Sequence, residues 1–111
     1  MATSTLPKAV AFLRVAPQDT DKLTAAQEKL FTQYAERHGF DLRHIEFESE
    51  STVNVSRIGQ VIGEHKAQHF LVLSMQNVTT HAVIADALEQ AIMLGSGAEI
   101  HEVETEEPNS R

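Results

Sequence analysis

Three stretches carry side chains whose types and spacing could do chemistry. The first is Lys8-Ala9-Val10-Ala11-Phe12-Leu13-Arg14-Val15-Ala16-Pro17-Gln18. Its unbroken apolar run from Ala9 to Leu13 reads as a strand covered on both faces, and Pro17 stops it. Arg14 therefore stands at the carboxyl end of a buried strand, where open α/β sheets bind ligands. A guanidinium there needs an anionic partner or solvent, because burying the charge alone is costly. Two readings fit it: a salt bridge to an acid in the 46–50 segment, or an anion site in which the fork grips phosphate bidentately. The second stretch, Ser74-Met75-Gln76-Asn77-Val78-Thr79-Thr80, offers hydroxyls and amides after another apolar run. The third is Arg57, which follows a polar loop over 48–56. Arg14, Arg57, Gln18, Ser74, Gln76 and Asn77 are the candidate anion- or ligand-binding residues. An enzyme with new chemistry built on Ser74, Thr80 or Gln18 is the weakest reading, since a hydroxyl without a positioned base is a poor nucleophile.

Other chemistries find less support. The turn after Leu13 has neither GxGxxG nor GxxxxGK, which disfavours Rossmann or P-loop nucleotide binding. It also lacks the Ser/Thr/Gly phosphate loop that a flavin site of the flavodoxin type would want. The histidines scatter: His65 and His69 are four apart, but a helix should end between them, so no metal site is expected. His81 and Asp86 are five apart and face each other poorly on a helix. No cofactor is implied.

The elements that position these residues follow from periodicity. A strand over about 8–14 leads to a helix over about 20–38, with Asp19, Thr20 and Asp21 as cap and first-turn acids and Gly39 past its end. Leu23, Ala26, Leu30, Phe31, Tyr34 and Ala35 form its expected buried face. Residues 40–47 read as a mixed edge strand. Ser56 is expected to cap a helix over about 57–67 through Ile58, Val61 and Ile62. Residues 69–74 form the second fully apolar strand, and 75–79 a loop. Thr80 is expected to cap a helix to about Leu94, burying Ile84, Ala87, Leu88, Ala91 and Ile92. Gly95-Ser96-Gly97 ends it, before a weak strand over 98–103. The order β-α-β-α-β-α-β predicts an α/β three-layer sandwich with a mainly parallel four-stranded sheet of order 2-1-3-4, flavodoxin-like or resolvase-like. Its winding reverses between strands one and three, so loops 14–19 and 74–80 flank one crevice. Residues 1–7 read as a flexible N-terminus, 8–104 as the domain, and 105–111 as an acidic flexible tail.

Composition limits the partners. At 111 residues the chain holds one core. With nine Lys+Arg against sixteen Asp+Glu, its net charge is −7 and no basic cluster exists, so autonomous DNA binding is not expected. No apolar run approaches the roughly 20 residues that span a bilayer. There is no signal-peptide layout and no cysteine, and cytoplasmic is the default expectation.

One family resemblance emerges from these residues. Phe12-Leu13-Arg14-Val15-Ala16 resembles the aromatic-x-Arg-Val-Ser motif that ends the first strand of serine recombinases, the resolvase and invertase group. Gln27, Leu30, Tyr34, Ala35 and Gly39 resemble that family's first helix, and Arg57 resembles the arginine that opens its next helix. The resemblance covers about 8–104 and implies a recombinase catalytic-domain fold. In that family the motif's serine attacks DNA phosphodiesters, but here the position is Ala16, which has no hydroxyl. The family's Leu-Asp-Arg-Leu-x-Arg, whose arginines neutralise the scissile phosphate, is replaced by Gln76-Asn77-Val78-Thr79-Thr80 and its neighbours. Losing one such cationic group typically costs roughly 100- to 1,000-fold. The resemblance thus implies an inactive relative, a binding or regulatory module contacting an unidentified protein. The alternative is a small-molecule, phosphate or nucleotide binder using the crevice. The family's long dimer helix and DNA-binding domain are expected to be missing, so a homodimer would need another interface.

Overall fold

The computed structural model describes residues 6–49 and 54–105. Strand β1 (Lys8–Arg14) lies inside a four-stranded sheet of order β2-β1-β3-β4, with β2 (Asp41–Glu48), β3 (His69–Val72) and β4 (Glu99–Glu102), every ladder parallel. The predicted order and class are observed. Ala9 to Leu13 are all at most 1% exposed, which is why that stretch is apolar at every position.

Alternation along β1 divides the core into two layers. Ala9, Ala11 and Leu13 pack with Leu71, Leu73 and helix α1 (Asp21–His38) on one face. Val10 and Phe12 pack with Phe70, Val72, helix α2 (Val55–His65) and helix α4 (Ala82–Gly95) on the other. The alanines on the α1 side leave room for Phe31 and Tyr34, which are 0% and 8% exposed. Burying a side chain such as Phe31 contributes about 1.5–3 kcal/mol.

The uneven pattern of β2 has a local cause. Its register against β1 slips between Ala9 and Val10, so that Leu42 opposes Ala9 while His44 opposes Val10. The extra residue lets Leu42 and Ile45, three apart, both reach the α1 layer. It also turns His44 and Glu46 toward α2.

Helix boundaries follow their caps. Thr20 accepts the Leu23 N–H at 3.1 Å to start α1, and Gly39 ends it at φ 73°. For α2 the expected cap, Ser56, is corrected to Asn54, whose Oδ1 accepts the Arg57 N–H at 3.0 Å. Starting two residues earlier brings Val55 against the core beside Ile58 and Ile62. Residues 75–79, expected as a loop, contain the one-turn helix α3 (Met75–Val78), and β3 stops at Val72 so that Ser74 can cap it. Thr80 does not cap α4; His81 occupies the N-cap position, and its N–H is taken by Thr79 Oγ1 at 3.2 Å. A short 3₁₀ turn at Val103–Thr105 follows β4.

Two buried stripes are narrower than periodicity implies. In α1 only Phe31, Tyr34 and Ala35 are buried, whereas Leu23 and Leu30 are exposed and Ala26 is exposed with them. In α4 only Leu88 and Ile92 are buried; Ile84, Ala87 and Ala91 are exposed. No described helix is long and apolar enough to cross a membrane. Pro7 belongs to the folded unit, since its carbonyl accepts the Asp41 N–H at 2.8 Å. The flexibility expected for residues 1–5 and 106–111 lies outside the described residues.

Candidate functional site

At the carboxyl ends of β1 and β3, Arg14 turns to main-chain carbonyls rather than to an acid of the 46–48 segment. Its Nε donates to the carbonyls of Asn77 (3.2 Å) and Val78 (3.1 Å), and one terminal nitrogen donates to Val78 at 2.8 Å. Its backbone N–H donates to Asn77 Oδ1 at 3.3 Å. It makes no ion pair among the described residues, and its other terminal nitrogen is buried without a hydrogen-bond partner. The guanidinium closes the carboxyl end of α3, whose last carbonyls would otherwise lack donors.

The amino end of α3 is closed as well. Ser74 Oγ accepts the Asn77 N–H at 3.2 Å, and Glu102 Oε2, from the end of β4, accepts the Met75 N–H at 2.7 Å. A carboxylate at the first turn and a guanidinium at the last match the polarity of the helical peptides between them. Val78 beneath is fully buried. Thus the fold brings Arg14, Ser74 and Asn77 together as a clamp on one turn of backbone. Glu102 was missed, and its only signal is an acid ending a mixed strand.

The remaining predicted residues stand apart from that clamp. Gln18 and Gln76 are exposed. Ala16 sits in a tight turn in which its N–H donates to Asp19 Oδ2 at 2.8 Å and its carbonyl accepts the Asp19 N–H at 3.0 Å. Arg57 belongs to a different network. Its Nε and a terminal nitrogen donate to the two Glu46 oxygens at 3.0 and 3.3 Å, and His44 Nε2 lies 2.9 Å from the same carboxylate. The Arg57 guanidinium holds the Glu46 carboxyl below the usual carboxylate range, against the opposing effect of burial, with His44 assisting. The Arg57 guanidinium is itself held further toward its charged form by Glu46. The loop slip in β2 is what aims Glu46 at α2, a placement that spacing alone does not reveal.

Chemically, the crevice offers several acceptors that are already engaged with backbone. The Ser74 hydroxyl oxygen is occupied as a cap, and Asp19 and Glu102 each accept a main-chain N–H. Burial pushes the ring of another titratable residue, His69, below the usual imidazole range, with Glu99 acting in the opposite direction. That residue opens β3, toward the far end of the sheet from Arg14.

No family model and no curated protein matches the sequence. Solved structures do match the fold. The C-terminal catalytic domain of ISC1926 TnpA, an IS607-like serine recombinase, aligns with a TM-score of 0.72 over 86% of this chain and 69% of that one, at 18% identity. The N-terminal catalytic domain of TP901-1 integrase aligns with a TM-score of 0.71 over 88% and 78% of the two chains, at 14% identity. The α/β sandwich described above therefore has the fold of serine-recombinase catalytic domains.

Proposed function

We propose that this chain is a catalytically inactive serine-recombinase-like domain that works as a binding or regulatory module, through protein rather than DNA contacts. The observation that carries this reading is the commitment of Arg14 to the carbonyls of Asn77 and Val78, two residues before a position, Ala16, that bears no hydroxyl. Strand exchange through a phosphoserine needs a hydroxyl nucleophile and free cations around the phosphate. Here Ala16 stands where the nucleophile would be, and Arg14 is engaged with the carbonyls of α3. A protein partner is favoured by α4, where Val83 and Leu94 are 82% and 81% exposed and share an apolar strip with Ile84, Ala87 and Ala91. A net charge of −7 argues against duplex DNA as the partner.

The alternative, a phosphate- or small-molecule-binding protein using this crevice, draws on the unpartnered nitrogen of Arg14. That donor is sealed from solvent, so an anion would have to open α3 to reach it. A thermal shift with phosphate or nucleotides that disappears in Arg14→Ala would favour this alternative.

The main reading is tested with supercoiled plasmid and a trap for covalent protein–DNA adducts. No cleavage and no adduct are expected, and an adduct of any kind would overturn inactivity. The interaction reading is tested by comparing the proteins retained from a native lysate by the wild-type chain and by Val83→Ser/Leu94→Ser. A specific partner lost with the variant is expected; identical retention by both would remove α4 as the contact surface.

A further inference from the structure

Toward the amino ends of β3 and β4, on the α1 face, three potential metal ligands meet. His69 and Glu99 are direct partners across the parallel ladder, and His101 lies two residues beyond Glu99, on the same side of the sheet. His69 Nδ1 is 2.9 Å from His101 Nε2. Glu99 Oε1 is 3.5 Å from the first nitrogen and 3.6 Å from the second. A tetrahedral ion with ligand bonds of about 2.0–2.1 Å holds its donor atoms roughly 3.3 Å apart. The observed triangle reaches that spacing with shifts of a few tenths of an ångström.

We propose that His69, Glu99 and His101 form a binding site for a divalent first-row transition cation of the zinc class, with solvent completing the fourth position. Two imidazoles and one carboxylate select this class over magnesium or calcium, which prefer all-oxygen shells. The rings are held in place from behind. Phe40 stacks on His69 with centroids 3.9 Å apart and planes 13° from parallel. The Tyr34 hydroxyl lies 3.0 Å from His101 Nδ1. With Nδ1–H donating to that oxygen, Nε2 presents its lone pair to the other two donors, which is how ligating histidines are usually oriented. The two histidine side chains are 17% and 16% exposed while Glu99 is 69% exposed. Two ligands are thus fixed in the wall of the fold, and the third closes from the solvent side. An ion there would tie the edge strand β4 to β3.

The competing explanation of the short nitrogen–nitrogen distance is a proton shared between the rings, with no affinity for metal beyond that of ordinary surface histidines. The two are separated by calorimetric titration of the tag-free, chelator-treated full chain with zinc chloride near neutral pH. One equivalent is expected to bind and to raise the Tm, and cobalt(II) is expected to give the visible absorption of a tetrahedral nitrogen–oxygen site. Glu99→Gln, a change on the exposed side, is expected to weaken zinc at least 10-fold without altering the fold, and His101→Gln to abolish the one-to-one step. Tyr34→Phe is expected to weaken it roughly 10-fold through the lost support of His101. Absence of stoichiometric binding, or binding that survives both Glu99→Gln and His101→Gln, would overturn the proposal.

Discussion

Arg14 shows how a side chain at a ligand edge can be engaged in closing a helix. It ends a buried strand at the ligand edge of the sheet, yet its donors are used to close α3 at the Asn77 and Val78 carbonyls. Arg14→Ala leaves those carbonyls without their donor in a partly buried setting, and a loss of about 1–3 kcal/mol is expected in urea unfolding. Lysine should not restore it, because one ammonium cannot reproduce the planar fork. A loss below about 0.5 kcal/mol, the range of ordinary surface changes, would show that the clamp is not structural. Glu46 supplies a pH-dependent counterpart. Its folded pKa is depressed by Arg57, so its contribution is present above the unfolded glutamate value of about 4.3 and is lost as pH falls through the lower folded value. The Tm of the wild-type chain is therefore expected to fall across that acid window more steeply than the Tm of Glu46→Gln. Parallel profiles would dismiss the pair as a source of acid sensitivity.

At the scale of elements, the ends of α1 and α2 make a contrast that can be measured. Both helices finish on a left-handed residue, Gly39 at φ 73° and Lys66 at φ 52°. Glycine takes that conformation freely, whereas a side chain costs about 1 kcal/mol. Apart from its chain neighbours, no atom lies within 4 Å of a Cβ added at residue 39, so Gly39→Ala should lose about that amount by backbone strain alone. Lys66→Gly should gain a similar amount, because its N–H bonds to the Gly63 and Ile62 carbonyls do not involve the side chain. Thermal unfolding of the two variants should move in opposite directions; shifts of the same sign would contradict the cap assignment. The elements whose limits were misplaced share a cause. Asn54 and Ser56 are equally good caps, and only the seat for Val55 on the core selects the first. Likewise α3 needs Arg14 and Glu102 from distant strands to exist as a single turn, since nucleating an isolated turn is unfavourable.

For the molecule as a whole, chain order and apolar runs determine the architecture. Two continuously apolar strands must be central, two mixed ones must be at the edges, and helices between parallel strands must cover both faces. That much depends on local pattern and on the rule that buried backbone be paired, so the sequence alone determined it, together with the absence of a hydroxyl at Ala16 and the acidic net charge. Long-range geometry decided the rest. The slip between Leu42 and His44 sends Glu46 to Arg57 rather than leaving Arg57 for the crevice. A single helix, α1, is seated on its face only through Phe31, Tyr34 and Ala35, and α4 only through Leu88 and Ile92, leaving apolar surface that periodicity had assigned to the core. His69 and His101, 32 residues apart, become neighbours only when β4 pairs beside β3 in register. Periodicity reports which side of an element is apolar, but the depth of that side and its partners across the sheet are set by how strands align. The candidate crevice was therefore legible as a place and the contacts of its arginine were not, because they depend on which acceptors the tertiary fold brings within hydrogen-bonding distance.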